Sequence, residues 1–294
     1  MALVIFSFLT SIVFWLWIIL KYDKFEREPL LSILFVFVTG GLTSAIPAAI
    51  LNGLFDAVAD HYFHAGIAGM ATDNKAFFPC LFVGLNEESL KALATILLIR
   101  RMKNFNEPAD ALVYAMTVAL GFAVFENIGY YMRYGLTTFY IRQLNAVPMH
   151  LGLAALWGMG IAKAKFLHRG KYLLKVAPYV LAAALVHGLY NFSAGLNDNR
   201  VLTILLLSVF AFFLIRHAIG KMTRYAEDGP FANRLFCHQC NTVNFPDERS
   251  CKNCGEQFDL EFYILCRKCN SKVSRITEAC PRCGEGIEKI SNEK

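Results

Sequence analysis

The sequence predicts an all-α polytopic membrane protein of about seven transmembrane helices, followed by a small soluble tail. Its 294 residues are 56% hydrophobic, which exceeds the apolar share that is typical of soluble domains. The apolar residues form long blocks up to about residue 219, and the remaining chain is polar and rich in cysteine. These observations predict a membrane domain, residues 1–222, and a separate tail.

Seven blocks are long enough to cross a bilayer, which takes about 20 residues of helix. The predicted spans are 2–20, 30–55, 77–99, 110–132, 147–166, 176–195 and 201–219. The second block can span with tilt or break near Pro47. The first block has no basic start and no small-residue cleavage site, so it is predicted to be a retained anchor.

The Lys and Arg residues of the connections predict the orientation in the membrane. The connections after the first, third and fifth spans, together with the segment after the last span, carry fourteen of them. The connections on the opposite side carry Lys75, Arg133, Arg142 and Arg200. Because cytoplasmic loops are enriched in Lys and Arg, the N-terminus is predicted outside and the tail in the cytoplasm of an integral membrane protein.

The tail contains two similar cysteine units, 234–256 and 263–286, each with two CxxC pairs. Their cysteines are Cys237, Cys240, Cys251 and Cys254, and then Cys266, Cys269, Cys280 and Cys283. Four thiolates at this spacing suit one tetrahedral Zn²⁺, so the tail resembles a double zinc ribbon with two structural zinc ions. A disulfide framework is the alternative, and the reducing cytoplasm argues against it.

The ribbons are expected to bind a protein partner rather than to catalyse a reaction. All four cysteines of each unit are predicted ligands, which leaves no open coordination position. The tail has many Lys and Arg residues but few aromatic residues beside them, which argues against nucleic acid as the partner. The fold prediction is therefore about seven transmembrane helices followed by a zinc-ribbon tail that meets a cytoplasmic protein.

The third block carries Glu87, Glu88 and Lys91 where lipid contacts are expected. Each charge costs about 2.5–3.5 kcal/mol at the centre of a membrane helix, so this helix needs polar partners or a wet cavity. Candidate partners fall at overlapping depths in the outer halves of three other spans. They are Glu126 in the fourth span, His150 in the fifth, and His187 and Asn191 in the sixth.

Carboxylates, imidazoles and an amide at one depth can activate water, with a carboxylate as general base, and can also hold a catalytic divalent metal. The same groups could form a structural network between helices. They could also relay protons or cations in a transporter. A non-catalytic receptor that uses its zinc ribbons to bind a partner is a further alternative.

These residues resemble the PrsW family of intramembrane proteases, which carries EExxK, FxxxE and HxxxD/N motifs on successive helices. The matching segments are Glu87-Glu88-Ser-Leu-Lys91, Phe122-Ala-Val-Phe-Glu126 and His187-Gly-Leu-Tyr-Asn191. The resemblance covers about residues 1–220 and does not include the ribbons. It implies hydrolysis of peptide bonds in membrane-anchored proteins, such as anti-sigma factors, near the extracytoplasmic face.

The resemblance also suggests roles for individual residues. Glu87 is expected to take a proton from water, while His150 and His187 hold that water or a metal with help from Glu126. Asn191 stands where some members of the family have Asp. A neutral amide is a weaker metal ligand than a carboxylate, and it suits donation to a developing oxyanion.

Glu88 and Lys91 complete this hypothesis as a supporting pair. They are three residues apart, so an α-helix places them on one face.

Overall fold

The computed structural model describes residues 2–21, 28–63, 77–100, 102, 104–105, 107–167, 172–195, 200–227 and, in the tail, 235–240, 243–244, 248–251, 253–259, 261, 263–268, 271–280 and 283–287. These ranges contain seven α-helices. They are α1 (Ala2–Lys21), α2 (Leu30–Phe63), α3 (Phe77–Ile99), α4 (Pro108–Leu144), α5 (Ala146–Ala162), α6 (Tyr172–Gly195) and α7 (Arg200–Glu227). The predicted all-α class is confirmed.

Five of the described helices, namely α1, α2, α4, α6 and α7, are long and apolar enough to cross a membrane. α3 differs because it carries three charged residues in its central turns. α5 differs because it has only 17 residues, although a π-helical turn, Lys163–Leu167, follows it directly. Both of these helices carry residues of the predicted site, and so do two of the helices that could span, α4 and α6.

α5 lies at the centre of the helical bundle. It packs against α4, α6 and α7, and nearly all of its residues are buried. α3 packs against α2 and α6, while α2 also packs against α4. This arrangement surrounds the inner faces of α3, α5 and α6 with protein, so polar side chains on those faces meet one another instead of lipid.

α3 and α6 approach closely at two glycines. A Cβ on Gly84 would lie 2.6 Å from the carbonyl oxygen of Ala184, and a Cβ on Gly188 would lie 2.8 Å from the α3 backbone. Small residues allow helix backbones in membranes to approach in this way. Gly84 lies one turn before Glu88, and Gly188 directly follows His187. The close contact of α3 and α6 therefore places the side chains of Glu88 and His187 together.

α2 is continuous over 34 residues, with Pro47 inside it. Of the two sequence-based alternatives for this block, a continuous span and a break near the proline, the structure has the continuous helix. Its later turns run beside α3 and bring Asn52 to that helix.

α4 reverses its direction before it ends. Its backbone leaves helical geometry at Gly135, where φ is 80° and ψ is −172°. We call residues 136–144, which follow the reversal, the return segment. The return segment packs on α1: the ring centroids of Phe139 and Phe8 lie 4.2 Å apart, and the hydroxyls of Tyr140 and Ser7 lie 2.8 Å apart. The sequence predicts that the fourth span ends at residue 132 and that a connection follows it. In the structure, helix continues after Gly135 to Leu144 in place of that connection.

The tail forms one small sheet from both cysteine units. Its strands are β1 (Leu235–Phe236), β2 (Val243–Asn244), β3 (Tyr263–Leu265) and β4 (Lys272–Ser274), in the order β2-β1-β4-β3. Each unit contributes an antiparallel pair, and β1 joins β4 in parallel through Leu235 and Lys272. The two units therefore share a sheet, which the cysteine spacing did not predict.

Candidate active site

Six of the seven predicted site residues lie in one cluster supplied by α3, α4, α5 and α6. Each of them lies within 3.8 Å of another member. They are Glu87, Glu88, Lys91, Glu126, His150 and His187. All are buried except Glu126, whose side chain is 23% exposed. The cluster is thus largely shielded from both lipid and water.

Glu88 has both carboxylate oxygens engaged. Its Oε1 accepts hydrogen bonds from Lys91 Nζ at 2.5 Å and from His187 Nδ1 at 2.9 Å. Its Oε2 accepts a hydrogen bond from Trp157 Nε1 at 2.9 Å. A completely buried carboxylate with three donors is held in one orientation, because moving it would leave charged or polar groups unpaired. Glu88 therefore fixes its neighbours.

Glu87 is different, because one of its oxygens is unpartnered. Its Oε1 accepts a hydrogen bond from Asn52 Nδ2 at 3.1 Å. Its Oε2 is buried and has no hydrogen-bond partner in the described part of the chain. This oxygen lies 3.7 Å from Nε2 of His187, which is too far for a hydrogen bond. A single ligand, such as water or a cation, could contact both atoms.

The tautomer of His187 follows from its contact with Glu88. An ionised carboxylate only accepts hydrogen bonds, so Nδ1 of the neutral imidazole carries the proton and Nε2 carries the lone pair. That lone pair belongs to the atom that faces Glu87. The site therefore presents a carboxylate oxygen and an unprotonated ring nitrogen side by side.

His150 lies in a second chain of contacts. Its Nδ1 is 3.0 Å from Lys91 Nζ, an ammonium that only donates, so Nε2 carries the proton of the neutral ring. Nε2 donates to Glu126 Oε2 at 3.0 Å. The same oxygen accepts a hydrogen bond from Arg142 of the return segment at 2.5 Å. Both ring nitrogens of His150 are thus engaged.

Lys91 connects these two chains of contacts. Its side chain is completely buried, and its ammonium lies 3.8 Å from Glu87 Oε2 and 4.2 Å from the centroid of the Phe122 ring. A buried cation is tolerated only where hydrogen bonds and opposite charges surround it. Lys91 has both, so its charge organises the two acids of α3 instead of disrupting the bundle.

Three residues of the site were missed by the sequence analysis: Asn52, Arg142 and Trp157. Trp157 lies seven residues after His150 in α5, which places both on one helix face, so helical periodicity could have found it. Asn52 is a polar residue within an apolar helix and could have been found by the same argument from depth. Arg142 could not have been found in this way, because its approach to Glu126 depends on the reversal at Gly135.

Asn191 is the predicted residue that stays outside the cluster. It is half-buried on α6, one turn after His187. Within the described residues, no hydrogen bond joins it to the six clustered side chains. Its role therefore stays a prediction.

Glu87, His150 and His187 could hold a metal ion if one ring nitrogen of His150 exchanged its present partner, Lys91 or Glu126, for the metal. One ligand atom of each lies within 4.8 Å of the ligand atoms of the other two. Two imidazoles and a carboxylate are a typical ligand set of catalytic zinc, with a further position open. The buried and unpartnered Oε2 of Glu87 supports the fit, because it lacks the donor that a buried carboxylate oxygen normally has.

The first cysteine unit has the geometry of a closed zinc site. Its Sγ atoms lie within 4.8 Å of one another. Cys237 and Cys254 are 3.6 Å apart, and Cys240 lies 3.5 Å from both Cys251 and Cys254. Tetrahedral zinc with Zn–S bonds of about 2.3 Å needs similar spacings, about 3.8 Å. Burial raises the pKa of the Cys237 thiol to about 12, so zinc binding there is coupled to loss of a proton.

The second unit brings together Cys266, Cys280 and Cys283 in the same way. Cys266 and Cys283 are 3.6 Å apart. Cys269, the predicted fourth ligand, lies outside the described residues. The cysteines that the structure describes form no disulfide, in agreement with the zinc interpretation.

Comparison with known proteins supports the interpretation of both the helical part and the cysteine-rich tail. The PrsW family of intramembrane metalloproteases matches residues 28–216, and the double zinc ribbon family matches residues 237–284. Protease PrsW of Clostridioides difficile (strain 630) is 28% identical over 212 residues, which is 69% of this chain and 83% of the relative. No solved structure matches the chain.

Two further relatives have the same name. Protease PrsW of Geobacillus kaustophilus (strain HTA426) is 30% identical over 169 residues, which is 58% of this chain and 69% of the relative. Protease PrsW of Bacillus subtilis (strain 168) is 30% identical over 134 residues, which is 46% of this chain and 62% of the relative.

Proposed function

The chain belongs to the PrsW family of intramembrane metalloproteases, and we propose that it hydrolyses peptide bonds of membrane-anchored proteins with Glu87 as general base. Membership of this family confirms the predicted intramembrane protease, which acts on membrane proteins. The observation that carries the proposed role is the unpartnered Oε2 of Glu87, which lies 3.7 Å from Nε2 of His187.

Glu87 and Glu88 have separate tasks in this proposal. Glu88 is held by three donors and orients His187 and Lys91. Glu87 keeps one oxygen free, which is the property that a general base needs. This division supports Glu87 as the residue that meets the attacking water.

The reaction proceeds by addition and elimination at the peptide carbonyl. Water placed between Glu87 and His187 adds its oxygen to the carbonyl carbon, while its proton moves to Glu87 Oε2. The tetrahedral intermediate then expels the amine, which takes that proton as the C–N bond breaks. Each turnover consumes one water and returns Glu87 to its ionised form.

The surrounding residues position these groups. His150 is proposed to hold the water with His187, which requires one of its ring nitrogens to exchange its present partner, Lys91 or Glu126, for that water. Asn191 is proposed to donate from its amide to the oxyanion. It lies on the same helix as His187, one turn later.

The donor set also accommodates a catalytic divalent cation. Glu87, His150 and His187 would hold it, and the bound ion would polarise the scissile carbonyl or the attacking water. Glu88 would then orient His187 through Nδ1, as carboxylates commonly do for metal-bound histidines.

The topology follows from the Lys and Arg bias of the connections. We infer an extracytoplasmic N-terminus and a cytoplasmic tail, with cleavage near the extracytoplasmic face. Single-pass membrane proteins, such as anti-sigma factors, are the proposed substrates. The zinc ribbons are proposed to bind a cytoplasmic protein or the cytoplasmic part of a substrate, because their ligand sets are closed to catalysis.

Purified protein in detergent, incubated with candidate single-pass proteins, tests the proposal. Glu87→Gln should abolish cleavage, because the amide cannot accept the proton of water. Leu97→Ala, a change on an exposed face of α3, serves as control and should cleave at the normal rate. Normal cleavage by folded Glu87→Gln protein would refute the role of this residue.

A further inference from the structure

α2 enters the active site through Asn52, although none of the three motifs lies on this helix. The Nδ2 of Asn52 donates to Glu87 Oε1 at 3.1 Å. The Oδ1 of Asn52 accepts from Asn86 Nδ2 at 2.7 Å. Asn86 precedes Glu87 in α3, so its hydrogen bond to α2 lies directly beside the candidate base.

We propose that Asn52 is a positioning residue that, itself held by Asn86, directs the free oxygen of Glu87 toward His187. The inference rests on the proposed role of Glu87 as general base. It assigns a function in the reaction to α2 and to an asparagine pair outside the motifs.

The direction of these hydrogen bonds is set by a backbone group. The carbonyl oxygen of Ala48 can only accept, and it lies 3.3 Å from Nδ2 of Asn86. Nδ2 of Asn86 therefore faces α2, and its second hydrogen points at Asn52. This leaves the oxygen of Asn52 toward Asn86 and the nitrogen of Asn52 toward Glu87. A flipped Asn52 would place an amide oxygen against a carboxylate.

The consequence for Glu87 is that its two oxygens become different. Oε1 is retained by Asn52, while Oε2 faces the ring of His187 at 3.7 Å. The ammonium of Lys91 lies 3.8 Å from Oε2 and attracts the same carboxylate. Without the donor from α2, Glu87 could rotate toward Lys91 and shorten this 3.8 Å ion pair to a direct hydrogen bond. Asn52 thus keeps the base available for water.

A hydrogen bond between helices can also be purely structural, so the test must separate the two explanations. The variants are Asn52→Leu, Asn86→Leu and the double variant, with cleavage kinetics and thermal unfolding measured for each. Ser44→Ala is the matched control: Ser44 is a buried polar residue of α2 whose hydroxyl donates at 2.6 Å to Gly40 within its own helix.

We expect Asn52→Leu to lower kcat by about tenfold or more, with little change in KM, because the proposed role of Asn52 acts on Glu87 and not on substrate binding. Asn86→Leu should lower kcat less, since Asn52 can still donate part of the time. The double variant should lose no more than Asn52→Leu, because Asn86 acts through Asn52. Ser44→Ala should keep the normal kcat.

Asn52→Asp is a second variant that tests the inference if Asn52→Leu does not fold. It preserves the size of the side chain but loses the donor, so it should lose at least as much kcat. A wild-type kcat in either Asn52 variant would overturn the inference. Losses that multiply in the double variant, or that match the loss of folded protein, would also overturn it.

The inference and the proposed function can fail separately. If Glu87→Gln remains active, the proposed base is wrong and the inference falls with it. If Glu87→Gln is inactive while folded Asn52→Leu retains the normal kcat, Glu87 stands as the base and only the positioning role is lost.

Discussion

The guanidinium of Arg142 lies 2.5 Å from Oε2 of Glu126, although 16 residues separate them within α4. A straight helix would place them about 24 Å apart. The reversal at Gly135 brings the two side chains back together. Arg142 also donates to Asn127 Oδ1 at 2.6 Å, and its guanidinium lies 3.7 Å from the centroid of the Tyr130 ring. The return segment is therefore part of the site's structure and not a simple connection.

Arg142→Ala is expected to reduce cleavage by about tenfold or more. The substitution leaves Glu126 without its strongest donor, and His150 then loses a fixed partner. The measurement is kcat with a membrane-anchored substrate. Arg133→Ala is the matched control, because Arg133 is exposed beside the same reversal and should be dispensable. Equal activities of the two variants would contradict the role of the return segment.

Gly135→Ala is expected to destabilise the protein through its backbone alone. A Cβ at this position would meet nothing within 4 Å, but φ 80° and ψ −172° belong to a region that is nearly exclusive to glycine. The cost should be about 1–3 kcal/mol and should appear as a lower unfolding midpoint together with reduced cleavage.

Gly129→Ala is the control for this change. Its Cβ would also meet nothing within 4 Å, and the position is helical, so alanine should be neutral or slightly stabilising. Unchanged stability of Gly135→Ala would mean that the reversal survives without glycine.

The polar cluster was predictable from sequence because charges in an apolar helix must find partners. This physical requirement, combined with depth, pointed from Glu87 and Glu88 to Glu126, His150 and His187. The separate tasks of the two neighbouring acids were not predictable. They point about 100° apart, and only the structure shows which of them meets Trp157 and which keeps a free oxygen.

The pairing of elements that are distant in sequence could also not be predicted from the sequence. Depth marks Asn52 as a candidate site residue, but its contact with Glu87 depends on α2 lying along α3, and no local pattern encodes that pairing of helices. The parallel pairing of Leu235 with Lys272 likewise joins two units whose cysteine spacing describes each unit separately. Motif spacing predicts which residues share a helix face, but it does not predict which helices meet.

The close contact of α3 and α6 predicts the effect of Gly84→Val. Its side chain would enter the space of the Ala184 carbonyl and the backbone of Gly188, which flexible side chains cannot relieve. The helices must separate, so Glu88 and His187 should lose their 2.9 Å contact and cleavage should fall by more than tenfold. The measurement is cleavage of a membrane-anchored substrate.

Gly53→Ala in α2 is the matched control, because a Cβ there meets nothing within 4 Å. It should retain full activity. Wild-type cleavage by Gly84→Val would show that the α3–α6 contact is not needed for the site.

Replacement of Cys240 by Ser should release zinc from the first ribbon. The serine hydroxyl replaces a thiolate that lies 3.5 Å from two other ligand atoms. Because β1 pairs with β4, the second ribbon should also become more sensitive to proteolysis. Zinc per chain, measured by atomic emission, checks the first effect. Cys80→Ser, outside the ribbons, should leave the zinc content unchanged, and equal zinc contents in both variants would contradict the assignment.

Deletion of residues 230–294 should leave cleavage of a generic peptide substrate intact. The clustered site residues all lie between Glu87 and His187, and the ribbon ligands lie beyond them in sequence. The deletion removes Phe236, which packs with the core of the helical part, so a lower unfolding midpoint is expected alongside the retained activity. Kinetics at a temperature well below that midpoint separate the two effects.

Loss of peptide cleavage in the folded, truncated protein would mean that the ribbons support the chemistry itself. Retained peptide cleavage with loss of cleavage of a full membrane-anchored substrate is the pattern expected if they bind a partner or the substrate.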